Sequence, residues 1–130
     1  MPIESLTPKK GEIAFVWFNP YSGVALKTQT KTLLIDPAEI DPKTFKKVDA
    51  ILVTHEHGDH CDLYVIKDIH KRTNCPVIAD STSIKKLRDV VSSNKLLEAT
   101  IGSEHRIDGI TIRAEPCKHP AATPVTYLIT

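Results

Sequence analysis

The sequence is poor in cysteine, and its cysteines are not arranged in pairs. Cys61, Cys75 and Cys117 are the three cysteines among 130 residues, and no two of them form a Cys-x-x-Cys motif. An odd number of widely spaced cysteines does not build a disulfide framework. A domain of this length can bury about two-thirds of its unfolded surface without one. We therefore expect free thiols and a cytoplasmic protein.

Long apolar runs, a secretion signal and a strong net charge are also missing. No stretch approaches about 18 consecutive apolar residues, and residues 1–5 lack the basic and then apolar pattern of a signal peptide. Basic residues number 17 and acidic residues 16, for a net charge of +1. No membrane segment is predicted. Nucleic acid is an unfavoured partner, because binding it requires a basic surface.

The composition and the order of patterns along the chain predict one α/β domain that spans residues 1–130. The chain is 41% hydrophobic and 25% charged, which is typical of a globular domain, and we find no repeat. Three strands at the start suggest an antiparallel sheet, and alternating helix and strand follow. Strands are predicted at residues 13–18, 23–28, 31–35, 50–53, 75–79, 95–100, 110–115 and 124–129, and helices at residues 61–72 and from Ser81 or Thr82 onward.

A cluster of potential metal ligands follows the apolar run at residues 50–53. His55, His57, Asp59 and His60 lie within six positions, and these ligand types suit zinc, iron or manganese. In an extended chain His55 and His57 point to the same side. A positive φ at Gly58 would return the chain sharply and bring the second pair alongside the first. Surface loop histidines are the alternative, which so dense a cluster disfavours.

The residues around this cluster resemble the metallo-β-lactamase superfamily. Residues 54–60 read Thr-His-Glu-His-Gly-Asp-His and resemble its H-x-H-x-D-H signature. Residues 22–26 and 31–37 are similar to its opening strands, and residues 109–129 to the segment that carries its third histidine ligand. The opening strands are similar to those of the branch of lactonase-like and uncharacterised metal-dependent hydrolases. The resemblance implies an α/β fold that forms the N-terminal half of an αββα sandwich.

The resemblance also implies a ligand set, which this chain contains only in part. His55, His57 and His119 would hold one metal ion, and Asp59 and His60 would bind a second. Superfamily members continue to a bridging aspartate and a final histidine, whereas no histidine follows His119 here and no aspartate follows Asp108. We therefore expect a truncated or split product, or a partner subunit that completes the sandwich. An unfinished sheet with an uncovered apolar face predicts self-association into a homo-oligomer.

Other candidates have a second interpretation each. His119 alone would be an ordinary loop histidine, and the upstream cluster favours it as a ligand. Asp36 is either a turn residue before Pro37 or a carboxylate that accepts a hydrogen bond from a metal-binding histidine. Cys61 and Cys117 are expected to be buried thiols rather than ligands.

Two further histidines are not expected to belong to the site. His70 lies among basic residues in a predicted helix, and His105 lies in a polar turn. Both are predicted to be surface residues.

The chemistry expected of this site depends on the metal ion. Zinc is the expected ion, with one or two bound, and iron and manganese are alternatives. Zinc lowers the pKa of its bound water from 15.7 to about 7. The resulting hydroxide would attack a small ester, lactone or phosphoester, and Asp59 would orient it or take its proton as the catalytic residue. The chain is thus expected to be an enzyme with a small-molecule substrate. The alternative is a catalytically incomplete metal-binding half-domain that acts as an assembly or structural partner, and nuclease activity is a third, less favoured hypothesis.

Overall fold

Two β-sheets and two helices form three layers in the computed structural model, which describes residues 3–130. The larger sheet has the strand order β1-β2-β3-β4-β5-β6, and the smaller sheet has the order β7-β8-β9. The strands are β1 Ala14–Trp17, β2 Val24–Lys27, β3 Thr32–Ile35, β4 Ala50–Val53, β5 Val77–Asp80, β6 Leu96–Ala99, β7 Glu104–Ile107, β8 Ile110–Pro116 and β9 Val125–Ile129. The helices are α1 Leu63–Thr73 and α2 Ser81–Leu87.

The larger sheet changes from antiparallel to parallel pairing at β3. Strands β1, β2 and β3 pair antiparallel, as the sequence predicted, and β3 to β6 pair parallel. Every residue of β4 is buried, which explains its continuous apolar sequence. Because parallel strands end at the same edge, Asp36 after β3, the histidine cluster after β4 and Asp80 at the end of β5 come together there.

Both helices cover one face of the larger sheet. Helix α1 begins after Asp62, whose carboxylate accepts the Val65 N–H, and it buries Val65, Ile66 and Ile69. Asp80, rather than Ser81 or Thr82, is the N-cap of α2. The helix ends at Leu87, and Val90 and Val91 beyond it still pack on the core.

The smaller sheet packs on the opposite face of the larger one. Leu33, Leu52 and Ile78 from the larger sheet contact Ile112 and Val125 from the smaller sheet in a separate apolar cluster. The Tyr127 hydroxyl, from β9, donates to the backbone carbonyls of Val53 at 2.5 Å and Ile78 at 3.3 Å. Burial raises the pKa of this phenol well above its usual range. The predicted α/β fold is thus confirmed, with a helix layer, a six-stranded sheet and a three-stranded sheet.

The surface prediction was wrong for His70, and the turn predicted around His105 is a strand. His70 is buried, and its Nδ1 lies 2.8 Å from the Cys75 carbonyl oxygen. His105 belongs to β7 rather than to a turn, and its Nε2 lies 2.8 Å from the Glu98 carbonyl oxygen. Each imidazole therefore joins its own element to a neighbouring segment. Charged neighbours in the sequence hid the burial of His70.

An apolar surface remains uncovered on the side of the smaller sheet. Phe15 and Trp17 on β1 are 70% and 65% exposed. Phe15 pairs with Leu26, which packs between the two sheets. Phe15 therefore lies on the face of the larger sheet that carries the smaller sheet, at an edge that the smaller sheet does not cover. Within residues 3–130 no helix is long and apolar enough to cross a membrane.

Candidate metal centre

A cavity of about 300 Å³ opens at the edge where β3 and β4 end. The loop between β8 and β9 closes its other side and contributes His119. The cavity therefore lies between the two sheets. Its lining residues are Ser22, Ile35, Asp36, Thr54, His55, His60, Cys117, His119, Val125 and Thr126.

Three imidazoles converge beside this cavity. One ring nitrogen from each of His55, His57 and His119 lies within 4.8 Å of the others. The ring centroids are 4.6 Å apart for His55 and His57, 4.4 Å for His55 and His119, and 5.5 Å for His57 and His119. Three nitrogens in this arrangement suit a tetrahedral ion with Zn–N distances of about 2.0–2.1 Å and a fourth, open position.

The burial and protonation of His55 favour metal binding. Its ring is buried, and among residues 3–130 its Nε2 has no hydrogen-bond partner. Burial, followed by the neighbouring imidazoles of His60, His119 and His57, lowers the pKa of His55 to about 4. The imidazole is therefore neutral at pH 7, with an unpartnered nitrogen where a ligand atom is needed.

Asp36 organises the interior of the site from the end of β3. It is 1% exposed and has a φ of 50°, a left-handed conformation that aspartate tolerates better than most residues. Its Oδ1 accepts the Thr54 N–H at 2.8 Å. Its Oδ2 accepts the Thr54 hydroxyl at 2.6 Å and lies 2.8 Å from His60 Nδ1. Burial raises the pKa of Asp36, and the hydrogen bonds from Thr54 and His60 oppose this shift.

These hydrogen bonds determine the tautomers of two histidines. The Thr54 hydroxyl gives its one proton to Asp36, so at 2.9 Å from His55 Nδ1 its oxygen must accept. His55 then carries its proton on Nδ1 and has a lone pair on Nε2. In its neutral form His60 likewise donates Nδ1–H to Asp36, which leaves the lone pair on Nε2. Asp36 thus prepares both rings to bind a metal ion through Nε2.

Asp59 lies at the rim rather than among the converging ligands. Its Oδ1 is 3.7 Å from His60 Nε2, and its side chain is 40% exposed. It belongs to neither of the two groups of close ligand atoms, which are His55, His57 and His119, and Asp36, His55 and His60. The turn that places Asp59 and His60 does not use a positive φ at Gly58, contrary to the sequence prediction. It forms through the His57 carbonyl, which accepts the N–H groups of His60 and Cys61.

The cysteines lie near the site in different environments. Cys61 is buried, and burial raises its pKa to about 11. Cys117 is half-buried in the cavity wall, so the prediction of a fully buried thiol was wrong for it. Thr54 was not predicted as part of the site, although its position before the first histidine was a usable signal.

The chain is similar to known proteins in both sequence and fold. Residues 15–129 match the family model described as a beta-lactamase superfamily domain. A UPF0173 metal-dependent hydrolase of Pyrococcus furiosus is 34% identical over 103 residues, which cover 72% of this chain and 43% of that protein. The crystal structure of a putative metal-dependent hydrolase from Parabacteroides distasonis is 29% identical, with a TM-score of 0.67 over 83% of this chain and 51% of that one.

The fold is shared more widely than the sequence. The Rm3 metallo-beta-lactamase superposes with a TM-score of 0.71 at 18% identity, over 93% of this chain and 54% of that one. The chain spans about half the length of the curated relatives that it matches.

Proposed function

Because this chain belongs to the beta-lactamase superfamily, we propose that it supplies the first metal position of a metal-dependent hydrolase. The observation that carries the proposal is the buried, unpartnered Nε2 of His55, which lies beside His57 and His119. A buried polar atom without a partner is costly unless a ligand satisfies it. A bound cation would satisfy this one.

Zinc is the ion that we propose, held by His55, His57 and His119. Imidazole ligands suit zinc and leave iron possible, whereas manganese prefers carboxylate oxygens. When bound, the ion would polarise a substrate oxygen and lower the pKa of a coordinated water. We propose that a second ion, where present, would use His60 and Asp59.

The residues of the chain have separate tasks in this proposal. Asp36 and Thr54 hold the rings of His55 and His60 with Nε2 unprotonated. Asp59 is the catalytic carboxylate, since its exposed side chain at the rim is accessible to a water molecule and to substrate. Burial of Asp36 beneath the histidines makes it a positioning residue instead.

The cavity supports a small substrate with an ester, lactone or phosphoester group. Its volume of about 300 Å³ lies at the low end for small-molecule sites. The family name of the relatives supports a hydrolase, and it does not favour the alternative of an inert half-domain.

The test of this proposal is metal-dependent hydrolysis. Protein stripped with a chelator and then given Zn²⁺ should bind it stoichiometrically and hydrolyse members of an ester, lactone and phosphodiester panel. His57→Ala should lose both properties; because His57 is exposed, the variant should still fold. Identical turnover by the stripped and the reloaded protein would refute the proposal.

A partner surface is the second part of the proposal. Phe15 and Trp17 form an exposed apolar face on β1, which is an edge strand of the larger sheet. We propose that this chain alone self-associates through it, in a reducing cytoplasm that suits its free thiols. Sedimentation should show oligomers for the unmodified chain and monomers for Trp17→Lys, and a wild-type monomer at high concentration would contradict this part.

A further inference from the structure

The loop between β8 and β9 carries His119 and is anchored at points close to it. The Val125 N–H donates to the Thr54 carbonyl at 2.9 Å, immediately before the first histidine. The Ala122 N–H donates to the Glu56 carboxylate, at 3.1 Å to one oxygen and 3.4 Å to the other. Glu56 lies between His55 and His57 in the sequence, so this contact joins the loop directly to the other two ligands.

A buried carboxylate holds the same loop from the neighbouring strand. Asp80 ends β5 and is 0% exposed. Its Oδ2 accepts the Thr123 hydroxyl at 2.7 Å and the Ser83 N–H at 3.3 Å. Within residues 3–130 its Oδ1 has no hydrogen-bond partner, so the bond from Thr123 provides much of the compensation for burying this charge.

Thr123 is also fixed from its other side. The Thr82 N–H donates to Thr123 Oγ1 at 3.0 Å, and the two hydroxyl oxygens are 2.7 Å apart. The hydroxyl of Thr123 thus lies between the end of β5 and the start of α2, although the residue as a whole is exposed. Its replacement would therefore remove these bonds without leaving a cavity in the core.

We propose that Asp80 and Glu56 are positioning residues that hold the His119 loop in register with the other two histidines. Neither carboxylate belongs to the groups of close ligand atoms. Each acts through the loop: Asp80 through the Thr123 hydroxyl, and Glu56 through the Ala122 N–H. His55 and His57 are held by the strand that precedes them, whereas His119 depends on these anchors for its place.

The inference rests on the proposed function, and Co²⁺ binding to the full chain tests both. Thr123→Val removes the hydroxyl at nearly constant volume, and Thr123→Ser retains it. We expect Thr123→Val to raise the Kd for Co²⁺ about 10-fold and Thr123→Ser to stay close to the wild type. Thr30→Val, at an exposed threonine in the β2–β3 turn, is the matched control. Glu56→Ala should weaken binding similarly, and Glu56→Gln should restore much of it because its amide oxygen still accepts.

A double-mutant cycle shows whether the effect passes through His119. In a His119→Ala background, Thr123→Val should cause no further loss of Co²⁺ affinity, because the positioned ligand is already gone. An undiminished effect of Thr123→Val in that background would overturn the inference.

Amide hydrogen exchange in the metal-free protein provides a readout that does not depend on metal. The Ala122 N–H should exchange about 10-fold faster in Thr123→Val than in Thr123→Ser. Unchanged exchange, or faster exchange with unchanged Co²⁺ affinity, would overturn the inference. Failure of the wild type to bind Co²⁺ would instead refute the proposed metal site, and exchange alone would then decide whether Asp80 holds the loop.

Discussion

Replacing Asp36 with asparagine should change the tautomers of two histidines at once. Asparagine keeps the shape of the side chain and tolerates the left-handed backbone at this position. Its carbonyl oxygen would still accept the Thr54 N–H, which leaves the amide NH₂ in the place of Oδ2. A donor would then face the Thr54 hydroxyl and His60 Nδ1, where the wild type has an acceptor.

The consequences pass along the hydrogen bonds in a fixed order. The Thr54 hydroxyl would have to accept from Asn at 36 and donate to His55 Nδ1. Both His55 and His60 would then carry their protons on Nε2, which removes the lone pairs directed at the metal position. Loss of such a supporting partner typically costs 10–100-fold in metal affinity, or about 1.4–2.7 kcal/mol. We expect a loss within this range at the first metal position, where His55 is the ligand whose tautomer changes.

The measurement has a metal-binding part and a metal-free part. Calorimetric titration gives the Zn²⁺ affinity, and ¹⁵N chemical shifts of the imidazoles report the tautomers in the stripped protein. Asp49→Asn is the matched control, because Asp49 Oδ2 accepts the Thr32 N–H at 2.8 Å away from the site. Asp36→Asn with wild-type tautomers and wild-type affinity would refute the reasoning.

Three further predictions concern reactivity, stability and pH. In the folded protein a thiol reagent should modify Cys117 first, because Cys61 and Cys75 are buried and burial raises the pKa of both; equal rates for all thiols would contradict this. Tyr127→Phe should lower the free energy of unfolding by about 1–2 kcal/mol, since it removes a hydroxyl that joins the two sheets, and urea titration would measure it. In the metal-free protein at a pH between about 4 and 6.5, the ring of His55 should be neutral in the folded chain and protonated in the unfolded chain. The free energy of unfolding should therefore fall by about 1–2 kcal/mol from pH 7 to pH 5. An equal free energy of unfolding at the two pH values would show that His55 is not a buried, neutral imidazole.

The sequence predicted those parts of the site that depend on neighbours along the chain. His55, His57 and His60 follow a buried strand in one short segment, and their proximity needs little tertiary information. Asp36 was predicted less sharply, because a carboxylate before proline is equally common in a turn. The parallel pairing of β3 with β4 is what places it beneath the histidines.

The parts that depend on distant contacts were not predictable. Asp80 meets Thr123 only because the smaller sheet packs across the larger one, and neither residue has a local pattern that marks it. His70 was misjudged for a similar reason: its ring is covered by the segment around Ser92, 22 positions away in the sequence. Local charge around a helical residue therefore says little about which side of the helix a later segment will cover.

The proposed metal position lies across the junction of the two sheets, with His55 and His57 after a strand of one sheet and His119 after a strand of the other. An ion bound there would act as a reversible cross-link that closes a long loop of chain, in the manner of a disulfide. Its contribution to stability would grow with the concentration of free ion relative to Kd, by about 2.7 kcal/mol at 100 times Kd. Metal supply would then control the lifetime of this folded chain as well as its chemistry.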